Sequence, residues 1–285
     1  MVGIAENEPL RPSLAGVARA ATALWVDGKA KDFAALREFT ALEELRIYQL
    51  PRRHVPVLAG CLLRRLTSLS LCHAEADDLR FLSGFGTLET LTVWQSPKVA
   101  RIEGIEPLAR LATLALSDIG AIADLAPLTA LTGLRSLALA GGVSSTQELP
   151  SLAPLRALER LEQVNLVASK VIDGDLGPLC DLPRLTQLEL SPRNFEPAEV
   201  ARVAAAHPFW RRQLLALPDF DTWDRAPGCK KCKGRRKILF LRRKKLLWCP
   251  RCEAAKLAAL LAEFERLVEA KQREREEASA PGADS

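Results

Sequence analysis

The pattern Leu-x-x-Leu-x-Leu returns through most of this 285-residue chain at a nearly fixed interval. It reads LEELRI from Leu42, LTSLSL from Leu66, LETLTV from Leu88, LATLAL from Leu111, LRSLAL from Leu134, LEQVNL from Leu161 and LTQLEL from Leu185. A weaker copy, ATALWV, starts at Ala21. The fourth position of each copy falls at residues 24, 45, 69, 91, 114, 137, 164 and 188, so the interval ranges only from 21 to 27. Each copy has the alternation of a short strand followed by a return segment. A unit of this size cannot bury its own apolar face, so neighbours must stack and share one continuous core.

These copies resemble leucine-rich repeats, about eight of them over residues 21–195. The resemblance implies an α/β solenoid with a parallel sheet on its concave face. Leucines then point inward and the residues between them point to solvent. Segments such as DLAPLTALTG and DLRFLSGFGT are expected to supply the apolar residues of the convex side. One departure stands out. The family pattern places Asn three residues after the last leucine of the motif, where its side chain bonds to backbone of the adjoining turns. Here those positions hold Lys29, Leu50, Ala74, Ser96, Ile119, Gly142, Ser169 and Arg193. The turns are therefore expected to satisfy their backbone groups by backbone pairing or water. Uneven curvature is expected around GGVSSTQELP, in the longest repeat.

The same register sorts the outward residues. Trp25, Tyr48 and Trp94 face out in a chain with only 5% aromatics, and Arg46 and Thr92 stand beside them. The middle repeats present small neutral groups such as Ser68, Ser70, Thr90, Ala115 and Ala138. Rigid rings beside a smooth floor suit a protein-binding surface. The alternative is that the N-terminal segment or the tail covers the rings. Cys72 also falls on this face by register.

Residues 196–224 break the repeat. An Ala-rich helix is expected near 197–206, with Phe209, Trp210, Phe220 and Trp223 capping the last core edge. Then comes CKKCKGRRKILFLRRKKLLWCPRC, residues 229–252. Its two Cys-x2-Cys pairs, Cys229, Cys232, Cys249 and Cys252, have the spacing of a structural zinc site with four thiolate ligands. The segment resembles a zinc ribbon, in which a hairpin formed by RKILFL and LLWC joins two knuckles. A redox dithiol and an iron–sulfur cluster are the competing readings.

Residues 225–252 carry 12 basic and no acidic side chains, while residues 1–224 carry 23 basic and 27 acidic ones. Such a field attracts polyanions. Arg235, Arg236, Lys237, Arg242, Arg243, Lys244 and Lys245 are the candidate contacts to nucleic acid or to an acidic protein, with Phe240 or Trp248 able to stack on bases. A purely structural hairpin is the third possibility. Residues 253–277 read as an amphipathic helix, able to pack on the ribbon, on the solenoid or on another copy, and 278–285 as a disordered tail. Residues 1–20 are expected to form an N-terminal cap.

The first sixteen residues lack a secretory apolar core, and no apolar run is long enough to cross a membrane. A cytoplasmic, reducing location is therefore expected, and seven cysteines then argue against a disulfide framework. His54, His73 and His207 sit in no nucleophile or metal motif, and no phosphate-binding glycine loop occurs. The expectation is a non-enzymatic scaffold that binds an unidentified protein through the solenoid, with one structural Zn2+ and a basic second contact. No membrane or small-molecule substrate is expected. The alternatives are a nucleic-acid-associated adaptor and a redox or metal sensor.

Overall fold

The computed structural model describes residues 9–215, 229–233, 237–239 and 246–279. Eight strands form one parallel sheet in the order β1-β2-β3-β4-β5-β6-β8-β10. They are β1 (Ala23–Asp27), β2 (Glu44–Tyr48), β3 (Ser68–Cys72), β4 (Thr90–Ser96), β5 (Thr113–Ile119), β6 (Ser136–Ala140), β8 (Gln163–Leu166) and β10 (Gln187–Leu190). The pairing carries one column straight across the sheet, Leu24, Leu45, Leu69, Leu91, Leu114, Leu137, Val164 and Leu188. All eight are buried. Alternation within each strand sends the next residue to the other face, so one apolar set fixes both faces at once. The fold is a leucine-rich repeat solenoid.

Return segments close the core from the convex side. They use short turns of 3-10 helix, such as Phe33–Glu38, Ala126–Ala130 and Ala153–Ala157, and the brief helices α1 (Val55–Ala59) and α2 (Gly177–Cys180). Pro stands second in several of these segments, at Pro56, Pro127, Pro154 and Pro178, within the first turn where its missing N–H costs no helical hydrogen bond. Ion pairs tie adjacent repeats on the surface, including Arg52–Asp77, Arg135–Glu162 and Arg156–Asp181. Their exposure limits what each contributes to stability.

At or just past the strand ends, Gln49, His73, Gln95, Asp118 and Ala168 all take left-handed φ values between 48° and 56°. This kink turns the following residue inward, and Leu50, Ala74, Ser96, Ile119 and Ser169 are buried. Serine hydroxyls take part of the asparagine's work here. The Ala74 amide donates to Ser96 Oγ at 2.9 Å, and Ser96 Oγ donates to the Trp94 carbonyl at 3.0 Å. Ser169 Oγ donates to the Leu139 carbonyl, and Asn194 Nδ2 donates to the Ser169 carbonyl at 2.7 Å. Side chains thus supply bonds at these turns in addition to backbone pairing. The longest repeat adds a second, two-stranded parallel sheet, β7 (Gln147–Leu149) with β9 (Ser169–Val171).

Both ends of the stack are closed. On the first edge, the Arg11 amide donates to the Trp25 carbonyl and the Asp27 amide to the Arg11 carbonyl, both at 2.9 Å, while Leu14 is fully buried. On the last edge, α3 (Pro197–Ala206) lays Val200, Ala201, Val203 and Ala204 into the core, and α4 (Pro208–Leu215) adds Trp210. Phe209 packs against the core and is partly buried, while Phe220 and Trp223 lie outside the described residues. His207, between α3 and α4, is buried and holds the Leu179 carbonyl through Nε2 at 2.8 Å. That bond requires a proton on Nε2.

The C-terminal helix α5 (Ala254–Ser279) packs against α3. Its Leu257, Phe264 and Val268 join the buried core. Each such side chain contributes on the order of 2 kcal/mol by leaving water. Of the three possible neighbours, the helix therefore takes the solenoid. No helix among the described residues is long and apolar enough to cross a membrane.

Leu114 is wholly buried at the centre of the sheet. Leu114→Ala should cost about 2–5 kcal/mol in urea unfolding, whereas Val143→Ala, at a fully exposed site, should leave stability unchanged. Burial lowers the His207 pKa below its usual value, so folding favours the neutral ring. Stability should be full above the unfolded histidine pKa of about 6.5 and fall as the pH drops below it. His207→Gln should flatten this acid-side slope, and an unchanged slope would remove His207 as its source.

Candidate metal centre and binding face

The two Cys-x2-Cys segments meet. The sulfurs of Cys229, Cys232, Cys249 and Cys252 all lie within 4.8 Å of one another. A tetrahedral ion with metal–sulfur bonds of about 2.3 Å needs sulfurs about 3.8 Å apart, and Cys232 and Cys249 stand 3.5 Å apart. Cys229 and Cys249 are buried, while Cys252 is exposed. Between the pairs, β11 (Lys237–Leu239) runs antiparallel to β12 (Leu246–Trp248), with Ile238 opposite Leu247. This is the expected hairpin joining two knuckles.

Backbone geometry makes the cluster. The Lys233 amide returns to the Cys229 carbonyl at 2.8 Å, with Lys233 at φ 57°, and this tight turn swings Cys232 back towards Cys229. In the second knuckle the Cys252 amide donates to Cys249 Sγ at 3.4 Å. The backbone amides of Cys232 and Lys231 draw the Cys229 thiol down to about 6. The Cys252 amide likewise lowers Cys249. Cys252 is pushed up to about 12, chiefly by its hydrogen bonds with the sulfur of Cys232 and by loss of water. The first negative charges form easily and the last resists. A divalent cation bound by the four sulfurs would remove that resistance, because metal–sulfur bonds would take the place of the shared protons. The four residues fit a bound metal ion.

The remaining cysteines differ. Burial pushes Cys61 and Cys72 up to about 11 and raises Cys180 as well. Cys72 holds its concave register position but is buried, between Tyr48 and Trp94 on the flanking strands. Trp25, Arg46, Tyr48 and Thr92 are half-buried on this face, and Trp94 keeps 40% of its surface exposed. Arg46 is held by Glu44, with Nη2 at 2.5 Å from the carboxylate. His73 meets Tyr48 edge-on at 5.5 Å. His54 stacks on Phe33 at 5.0 Å, and its Nδ1 lies 2.6 Å from the Gly28 carbonyl. Of the basic candidates, Lys237 falls within β11, whereas Arg235, Arg236, Arg242, Arg243, Lys244 and Lys245 lie outside the described residues.

Fold and site together define a leucine-rich repeat solenoid that carries a four-cysteine module. Similar solved structures include an internalin, inlF, from Listeria monocytogenes, with 26% identity over 61% of this chain and 48% of that one, and a TM-score of 0.44. A leucine-rich repeat protein from Leptospira interrogans matches with 17% identity over 65% of this chain and 52% of that one, at a TM-score of 0.41. The structure of the mouse RP105/MD-1 complex matches with 24% identity over 55% of this chain and 27% of that one, at 0.43. In each case the match spans less than two thirds of the neighbour's own length. No protein-family model matches the chain, and no curated protein does.

In reduced, metal-free protein near neutral pH, iodoacetamide should modify Cys229 before Cys61 and Cys72, as read by peptide mass spectrometry. The Cys229 rate should fall as the pH drops through about 6, because the proton then occupies the attacking sulfur. Earlier labelling of Cys61 would contradict this order.

Proposed function

We propose that the chain is a non-enzymatic interaction scaffold that takes a protein partner on its concave face. One placement carries the reading. Tyr48 and Trp94 flank Cys72 in register, Trp25 stands at the edge of the same face, and Trp94 is 40% exposed beside half-buried serine and threonine hydroxyls. Rigid rings lose little conformational entropy on binding, and a floor of small residues admits a partner backbone closely. Arg46, pinned by Glu44, presents a fixed donor beside them. Thr92 adds a hydroxyl in the adjoining row.

The ion at the four cysteines is proposed to be zinc. Four thiolates suit its tetrahedral preference and leave no position for a reactive water, so its role is structural. Zinc with four thiolates carries two net negative charges, which the 12 basic side chains of residues 225–252 offset. The same charge favours a second contact with an acidic surface through Arg235, Arg236, Lys237, Arg242, Arg243, Lys244 and Lys245. A nucleic-acid partner at this segment is a second reading, favoured by a run of cations without a single acid.

Trp94→Ala and Tyr48→Ala should each weaken capture of the wild-type partner about tenfold or more, as expected for central aromatic anchors, while the cooperative unfolding transition of the solenoid is retained. Undiminished capture by both variants would overturn the concave site. Binding of a generic duplex should fall steeply with salt and be lost when Arg242, Arg243, Lys244 and Lys245 are all changed to Ser. Salt-independent binding, or binding that survives the change, would remove the nucleic-acid reading.

A further inference from the structure

The metal centre and the end of the solenoid are joined by one continuous piece of hydrogen-bonded backbone. The second knuckle ends at Cys252, and α5 begins at Ala254. Glu253 bridges them in both directions. Its carboxylate accepts from the Cys249 amide at 3.0 Å, and its amide donates to the Cys249 carbonyl at 2.9 Å. The Leu257 amide then donates to the Glu253 carbonyl at 3.0 Å, which continues the ladder into the first turn of the helix. The knuckle thus serves as the starting block of α5.

From that start the helix reaches far along the cap. Leu257, Phe264 and Val268 share one helical face and are 8%, 3% and 0% exposed. Glu265 pairs with Arg211 of α4. Arg275, more than five turns beyond the knuckle, donates to the Cys180 carbonyl at 3.3 Å in the seventh repeat. The first pair follows the chain leaving α4, and the second pair launches α5. An ion held by all four sulfurs would tie the two pairs together and so fix where α5 starts. Without it the hairpin must be closed at the helix's own expense, a cost in chain entropy that the ion otherwise removes.

We propose that metal binding by Cys229, Cys232, Cys249 and Cys252 is coupled to the docking of α5 on α3, so that the ion acts as the clamp of the solenoid's C-terminal cap. This rests on the four cysteines holding a metal, as argued above, and adds that the bound ion acts on the solenoid. Coupling of this kind is reciprocal, so undocking the helix must weaken the ion's affinity by the same factor that metal loss weakens docking.

The test uses the full chain, with Zn2+ as the probe. Hydrogen exchange is followed over α3, α5 and the strands before and after removal of the ion by a chelator. Amides of α5 and of the α3 face beneath it should lose protection, while strands β1–β6 keep theirs. Zinc affinity, measured by chelator competition, should fall at least fivefold in Phe264→Ala and further in Val268→Asp. Strand protection in each variant shows that the solenoid remains folded. Unchanged α5 protection after metal removal would overturn the clamp, as would unchanged zinc affinity in a variant whose helix has come loose. Failure to take up Zn2+ at all would overturn the metal reading with it, and is distinguishable because no affinity is then measured in the wild-type chain.

Discussion

Everything in this molecule depends on one column of inward-facing side chains. Leu24, Leu45, Leu69, Leu91, Leu114, Leu137, Val164 and Leu188 stand in register across eight parallel strands, spaced about 4.8 Å apart. No repeat buries its own leucines, so each is stable only against its neighbours. Because strand side chains alternate, burying this column also decides what faces out. Trp25, Tyr48 and Trp94 are displayed on the concave side for that reason, and the leucine register alone aligns them.

A stack of this kind has two open edges, and each leaves apolar surface and unpaired backbone. The first is closed cheaply by a short pairing at Arg11 and by Leu14. The second uses three helices, and the outermost, α5, is the continuation of the cysteine module. The four-thiol cluster is therefore part of how the solenoid ends. The charge segregation fits this arrangement. The repeats are mildly acidic overall, and the cations cluster in sequence around the four cysteines.

The strands were legible because their signal is local: a two-residue alternation repeated at a fixed interval names the column directly. The cysteine cluster was legible because ligand spacing is itself a geometric statement, and the hairpin was legible from apolar runs on either side of a basic stretch, though its register, Ile238 opposite Leu247, was not. The Ala-rich cap helix was legible too, and it spans Pro197–Ala206. Other features were not. The left-handed corners fall on Gln49, His73, Gln95, Asp118 and Ala168, which share no chemistry, because sheet geometry dictates the conformation there. Serine's substitution for asparagine at Ser96 and Ser169 needed burial to be seen. Cys72 had the right register but not its exposure, because large rings occupy both neighbouring strands. The apolar stripe of α5 announced that it would be buried, and only the fold shows that α3 is what buries it.

The central claim is a stacked scaffold whose last cap is held by an ion among four cysteine sulfurs. X-ray absorption at the zinc edge of the purified, metal-loaded chain tests it most directly. Four sulfur neighbours at about 2.3 Å, lost together on chelation, is the result the account requires. Zinc bound through nitrogen or oxygen, or a chain that binds none, would contradict it.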